Sequence, residues 1–271
     1  EVEGVWWATA IIRDITERKR EQRKFREREI QLLAAQRIQR HLLPNHPPDV
    51  PGLNIAGATY PAQFAAGDLY DYLPMPDNCL GVVVSDVSGH GFGPALLVAS
   101  TQTLLEKLAE TCNDVGRILT EANKFLAGGV EEDRFITIFL ARIDLTARTL
   151  TYASAGHPPG YVFGPDGEVK HRMESTWPPL AVLAEGTIPV AEPVELSDGD
   201  TIVLLTDGVL EARSPDLEPF GSRRTLEVLR ANLNCTPREM IDRLHRVVCE
   251  FSGTETLWDD VTAMVVKVGP R

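Results

Sequence analysis

The sequence predicts an α+β domain built on antiparallel sheets, and three observations carry that prediction. Short β-forming runs follow one another in hairpin order from Leu53 to Phe163, and again from Val190 to Thr206. The links between them hold turn chemistry, such as Asp144-Leu-Thr-Ala, Pro165-Asp-Gly and Ser197-Asp-Gly-Asp. Helical spacing is grouped into blocks between these runs and does not alternate with single strands, so a βαβ fold with a parallel sheet is excluded.

Taken in order, residues 1–14 (EVEGVWWATAIIRD) resemble the last strand of something else, being rich in β-formers and too short for a domain. The next stretch has no Gly or Pro until Pro44 and reads as one helix over 15–43. Its 3–4 spacing through Ile15, Arg18, Gln22, Phe25, Glu29, Leu32, Gln36, Gln39 and Leu43 is four-ninths apolar. That pattern fits a weak coiled-coil seam and a solvated single helix equally. Ala34, Ile38 and Leu42 form a stripe expected to pack on the domain that follows. Residues 44–51 (PNHPPDVP) form a stiff linker, because each Pro excludes helix.

From Leu53 to Thr59 the pattern is strand, and the following hairpin organises the rest of the chain. Asp68 to Leu73 alternates, Pro74, Pro76, Asp77 and Asn78 supply a turn, and Leu80 to Val84 is wholly apolar before Ser85-Asp86. Counting outward from a turn at Asp77 sets Asp68 opposite Asp86, Tyr70 opposite Val84, and Tyr72 opposite Val82. Directly opposed side chains have Cβ atoms roughly 4.5–5.5 Å apart, where like charges repel. Two such carboxylates need a shared proton or a cation. Helices are then expected over 91–110 and 115–126, the second ending at Gly128-Gly129. Strands follow at 135–144, 149–154, 160–163, 190–196, 201–206 and 260–268. Residues 171–187 read as irregular. Two further helices span 223–232 and 237–251.

Composition narrows the function classes. With 271 residues, 43% hydrophobic and 24% charged, the chain can bury a full core. A net charge of −12 argues against nucleic acid as a partner, since phosphate backbones need a basic surface. No apolar run approaches the roughly 20 residues that span a bilayer. Cys79, Cys112, Cys235 and Cys249 show no CxxC spacing, so a reducing, cytoplasmic setting is expected, without a zinc site or disulfide frame. The chain opens at Glu1 without Met and reads as a fragment, leaving room for a sensor or membrane segment upstream.

Two more aspartates stand at strand ends. Asp207 closes TIVLLTD, with a Gly after it to allow a sharp turn, and Asp259-Asp260 opens VTAMVVKV. In an antiparallel sheet the start of one strand lies beside the end of its neighbour. Asp68, Asp86, Asp207 and Asp259 or Asp260 can therefore meet at one edge. Carboxylates without Lys or Arg adjacent in sequence suit hard divalent ions, Mg²⁺ or Mn²⁺. A pair of such ions roughly 3.5–4 Å apart can drive in-line attack on phosphorus. No GxxxxGK[ST] or GxGxxG is present, although SGHGFGPAL is Gly-rich beside a helix start.

Seven blocks give the whole a family resemblance: AQRIQRHLLP (35–44), AGDLYD (66–71), SDVSGHGFGPAL (85–96), FITIFLARID (135–144), YASAGHPPG (152–160), LSDGDTIVLLTDGVLEAR (196–213) with FG (220–221), and WDDVTAMVV (258–266). Together they resemble the PPM family of metal-dependent protein Ser/Thr phosphatases, in its bacterial SpoIIE-like (RsbU-like) branch. The resemblance implies an αββα sandwich of two antiparallel sheets flanked by helices. It implies metal ligation of two Mn²⁺ or Mg²⁺ ions by Asp68, Asp86, Asp207 and Asp259, with Asp86 bridging and the Val87 carbonyl completing a shell. Asp259 is preferred over Asp260 because the family's metal-binding Asp stands three before the Thr, here Thr262. Asp71 is expected to face away from Asp68 by strand alternation. His90 and His157 are expected to serve in turns or behind the ligands. Two departures stand out: Ala66 replaces a glycine, and Pro179-Leu180-Ala181 replaces a PLG turn that needs a permissive residue.

The resemblance further implies phosphoserine or phosphothreonine hydrolysis, with a phosphorylated STAS-domain anti-sigma-factor antagonist as substrate. Residues 1–14 resemble the end of a PAS-like sensor domain, 15–43 a linker helix that dimerises the chain and carries a signal, and 44–271 the phosphatase domain. The alternatives are a catalytically inactive dimeric scaffold and a two-metal phosphohydrolase of small molecules. The four intact Asp positions argue against the first.

Overall fold

A computed structural model describes residues 14–44, 46–62, 66–89, 92–128, 134–254 and 257–270. The expectations placed on residues 1–13 and on His90 lie outside these residues. In chain order the elements are α1 (Thr16–Leu42), β1 (Leu53–Tyr60), β2 (Asp68–Met75), β3 (Cys79–Val87), α2 (Phe92–Ala109), α3 (Val115–Ala127), β4 (Ile136–Asp144) and β5 (Thr149–Ala155). There follow β6 (Gly160–Phe163), β7 (Val169–Met173), β8 (Val194–Glu195), β9 (Thr201–Leu205), α4 (Asp207–Glu211), α5 (Gly221–Ala231), α6 (Pro237–Ser252) and β10 (Val261–Val268).

The strands form two antiparallel five-stranded sheets. One has the order β1-β10-β9-β6-β7, the other β2-β3-β4-β5-β8. Period-two alternation turns these sheets into four layers. In β2, Tyr70 joins the buried cluster between the sheets, with Val82, Val84, Phe139, Ile202 and Met264. Leu69 and Leu73 point the other way, into a cluster with Leu105 of α2 and Ile118 and Leu119 of α3. On the far side, Val203, Leu205 and Val265 pack against Leu229 of α5 and Met240, Ile241 and Leu244 of α6. The arrangement is the expected αββα sandwich. Phe139, fully buried and stacked on Tyr152 with ring centroids 4.9 Å apart, fills the centre of the inter-sheet layer. Truncating such a ring to Ala costs about 3–5 kcal/mol.

Local chemistry accounts for the element ends. The β2–β3 turn holds Asp77 and Asn78 at φ 58° and 56°, the left-handed pair a tight hairpin requires. A capping box of Thr236 and Glu239 starts α6, and Gly253 at φ 66° ends it. Three expectations change. The strand expected over 190–196 shrinks to Val194–Glu195, because Pro189 and Pro193 cannot donate to a ladder. Part of the stretch read as irregular is instead the end of β7. The strand ending in Asp207 stops at Leu205, and Asp207 opens the short helix α4.

Helix α1 lies against α2. Ile15 before it, and Phe25, Ile30 and Leu33 within it, are exposed. Among the described residues no helix is long and apolar enough to cross a membrane.

Candidate metal centre

The hairpin delivers the first two carboxylates as counted from the sequence. Asp68 pairs with Asp86, Tyr70 with Val84 and Tyr72 with Val82. Strand alternation places Asp68 at the inter-sheet edge and Asp71 on the opposite face, where Gln102 of α2 donates to its Oδ2 over 2.9 Å. Burial lifts Asp71 to about 6. It is a structural link between β2 and α2 and stands apart from the cluster.

The second pair comes from the other sheet. Asp207 begins α4 directly after β9, and Asp259-Asp260 precede β10, which pairs with β9. Asp259 is exposed, and its Oδ1 accepts the Asp260 amide at 2.9 Å. Asp260 is buried, and both its oxygens are taken: Oδ1 accepts the Ala62 amide at 2.8 Å and Oδ2 the Gly67 amide at 2.6 Å. The two neighbours thus divide the work. Asp260 pins the segment leading into β2, and Asp259 is left facing the cluster.

The carboxylates lie near enough to oppose one another's ionisation. Burial, then Asp86 and Asp260, push Asp68 well above the usual carboxylate range. Burial, then Asp207, Asp259 and Asp260, push Asp86 up to about 7. Burial, then Asp259 and Glu211, push Asp207 up to about 6. Among the described residues no Lys or Arg forms an ion pair with any of them. Carboxylates held together without a counter-charge are costly unless a proton or cation joins them. Among the described residues no three acidic, His or Cys side chains close on one point as ligands do.

Backbone around the cluster is shaped for close approach. A Cβ on Gly67 would stand 2.8 Å from the Val87 carbonyl oxygen and 3.2 Å from Asp86 Oδ1. Gly67 therefore leaves the Val87 carbonyl and the Asp86 carboxylate open to one small space. Ala66, the departure beside it, is buried without disturbing this. Gly208 is needed for a different reason from the sharp turn expected of it: a Cβ there would collide with the Asp260 carbonyl. The candidate donors are all oxygen, the carboxylates of Asp68, Asp86, Asp207 and Asp259 and the Val87 carbonyl, a chemistry that fits Mg²⁺ or Mn²⁺ and disfavours zinc.

Residues the sequence did not single out support the set. Thr206 Oγ1 donates to Asp68 Oδ2 over 2.8 Å and accepts the Thr262 amide at 3.0 Å. The Thr before Asp207 in TDG was the available signal. Thr137, the register partner of Asp86, meets His157 Nδ1 at 2.9 Å. Burial pushes His157 down to about 3, so the ring is neutral, and through Thr137 it stands one residue removed from Asp86. The PLG departure is confirmed as unusual: Ala181 sits at φ 69°, where glycine is favoured.

Comparisons with known proteins place the chain in a family. Residues 76–269 match the family described as Stage II sporulation protein E (SpoIIE). The chain is 27% identical over 264 residues to protein IcfG of Synechocystis sp., a match covering 88% of this chain and 41% of IcfG. It is 27% identical over 234 residues to phosphoserine phosphatase RsbU of Bacillus subtilis, covering 86% of this chain and 68% of RsbU. Among solved structures, the SiaA-PP2C domain of Pseudomonas aeruginosa superposes with a TM-score of 0.76 at 23% identity, covering 94% of this chain and 99% of that one. The chain thus spans about two fifths of IcfG and about two thirds of RsbU.

Proposed function

Because the chain belongs to the SpoIIE family of PP2C-type protein serine/threonine phosphatase domains, we propose that it hydrolyses phosphoserine or phosphothreonine on a signalling protein with divalent ions held at the carboxylate cluster. One observation carries this reading: Asp68 and Asp86 are directly opposed in the hairpin register, and Asp207 and Asp259 of the other sheet raise the cost of charging Asp86. Asp68, Asp86, Asp207 and Asp259 would hold two Mn²⁺ or Mg²⁺ ions, with Asp86 between them and the Val87 carbonyl as a further donor. When bound, such ions supply an acidified water for in-line attack on phosphorus and neutralise the phosphoryl charge.

The chain's own part is positioning. Thr206 holds Asp68, Asp260 fixes the backbone that leads into it, and Gly67 and Gly208 let the backbone segments approach. A covalent phospho-enzyme is not required, which fits scattered cysteines with no CxxxxxR context. The substrate of this reading is a phosphoserine protein, since RsbU, named a phosphoserine phosphatase, is similar over 86% of this chain, and the family resemblance points to a phosphorylated STAS-domain anti-sigma-factor antagonist. Residues 15–43 would form a dimerising linker below a PAS-like sensor segment (1–14), with 44–271 as the phosphatase domain. Helix α1 lies against α2, which begins a few residues beyond Asp86, and this adjacency supports a reading in which α1 would act on the cluster through α2.

Phosphate release from a phosphoserine STAS protein with added Mn²⁺ tests the reading. Turnover is expected in the native chain and not in Asp207→Asn. Equal turnover in the two would sink the assignment.

A further inference from the structure

A groove of about 320 Å³ opens beside the cluster, walled by Gly208, Leu217, Ser252, Leu257, Trp258 and Asp259. It shares Asp259 with the cluster, and Gly208 adjoins Asp207. Its rim carries two large apolar side chains turned out to water: Trp258 is 84% exposed and Leu217 65%. Neither serves the core.

The Leu217 wall is rigid. Arg213 bridges Pro219, Ser214 accepts the Leu217 amide, Phe220 donates back to Ala212, and the Arg213 guanidinium reaches the Leu217 carbonyl. Within that staple Leu217 is held at φ 66°, a conformation that a Leu side chain does not favour. At the floor, the Ser252 hydroxyl is buried and has no hydrogen-bond partner among the described residues. Glu211 and Arg213 also line the groove with opposite charges, so it selects neither sign. An apolar occupant fits it.

We propose that this groove reads the substrate's sequence beside the phosphorylated residue, seating one aliphatic or aromatic side chain between Trp258 and Leu217 while the phosphate lies at the carboxylates. The inference rests on the phosphatase reading above and extends it to substrate selection. A groove of this volume is about 7 Å across, or two residues of extended chain. The selected residue therefore lies within about three positions of the phosphoserine. Apolar pockets of this kind discriminate by roughly 10–200-fold.

The test uses fluorescein-labelled phosphoserine peptides with one Leu placed at each position from −3 to +3 in an otherwise serine background. Affinity for the 271-residue chain is read by anisotropy with Mn²⁺ present and each peptide's phosphoserine replaced by its non-hydrolysable phosphonate analogue, and kcat/KM with the phosphoserine peptides and Mn²⁺. At least one Leu position should bind about tenfold tighter than the all-serine peptide, and gain in KM rather than kcat. Trp258→Ala should bring that peptide to the all-serine level. So should Leu217→Asn, which keeps a residue tolerant of the left-handed backbone. No Leu preference in the native chain, or a preference that survives both substitutions, overturns the proposal. So does a self-association by sedimentation that Trp258→Ala abolishes, since a second copy would then be the occupant. Hydrolysis of p-nitrophenyl phosphate by the native chain separates the two levels. Its absence strikes the phosphatase reading, whereas its presence without Leu preference strikes the groove alone.

Discussion

Thr206 and Asp68 are joined across the sandwich: the hydroxyl at the end of β9 donates to the carboxylate at the start of β2 over 2.8 Å. This bond favours the charged form of a carboxylate that burial and two neighbouring aspartates oppose. Thr206→Val should therefore leave Asp68 harder to ionise. A hydrogen bond to a charged group is worth about 1.5–3 kcal/mol, so Mn²⁺ affinity should fall by about ten- to a hundredfold. Titration calorimetry measures it, with Thr206→Ser expected to restore affinity. Native affinity in the valine variant would remove Thr206 from the site.

Asp86→Asn should separate stability from metal binding. Asp86 is raised to about 7 in the fold, against an ordinary 3.8. The folded state then holds more protons than the unfolded one between those values, so stability falls as pH rises through that window. Removing the charge should make the metal-free chain more stable at pH 8, by about 3 kcal/mol. The same substitution should erase the stabilisation that Mn²⁺ gives the native chain. Thermal melts with chelator and with Mn²⁺ check both halves.

Metal binding should release protons. Asp86 at about 7 and Asp207 at about 6 are partly protonated near neutrality, and a cation displaces those protons. Proton release should be large at pH 6 and small at pH 8, with affinity weakening as pH falls. Calorimetry in two buffers of different ionisation enthalpy counts the protons. A binding heat independent of buffer at pH 6 would contradict the assignment.

The adjacent aspartates should respond differently. Asp260 accepts two backbone amides in a buried setting, so Asp260→Ala should destabilise the fold by about 3 kcal/mol. Asp259 is exposed, so Asp259→Asn should change stability by about 0.5 kcal/mol or less while weakening Mn²⁺ binding. Denaturant unfolding and metal titration of the two variants separate them. The opposite pattern would exchange their roles.

Ala181→Gly should stabilise the chain. Ala181 sits at φ 69°, where a Cβ costs roughly 1–2 kcal/mol, set against the greater unfolded-state freedom of glycine. The net gain should be about 0.5–1 kcal/mol, read as a higher denaturant midpoint with unchanged slope. The Ala181 amide keeps its bond to Asn123 Oδ1 in either case.

What could be read from sequence was local or periodic. The Asp68–Asp86 register followed from counting outward from Asp77, because alternation fixes every pair once the turn is placed. The long helices and most strands followed from spacing. Strand β7 escaped because Lys170, His171 and Arg172 are exposed and break the apolar alternation. Helix α4, five residues long, is too short to show a period. The supports of the site escaped for a deeper reason. Asp260 meets Gly67 across 193 positions, and Thr206 meets Asp68 across 138. Such partners are set by tertiary packing, and no pattern within either segment records them.

The place of β10 in its sheet fixes the order in which the molecule can be completed on the ribosome. In sheet β2-β3-β4-β5 each strand pairs with one already made, β3 through a hairpin, β4 after α2 and α3, and β5 through a second hairpin. Strand β1 emerges before all of them, yet its one neighbour in its sheet is β10, the last of these strands, whereas β9 can pair with β6 at once. The carboxylate of residue 259 arrives just ahead of that strand. A nascent chain therefore carries Asp68 and Asp86 for most of its synthesis without Asp259, so the full ligand set first exists when the closing strand is about to be laid in.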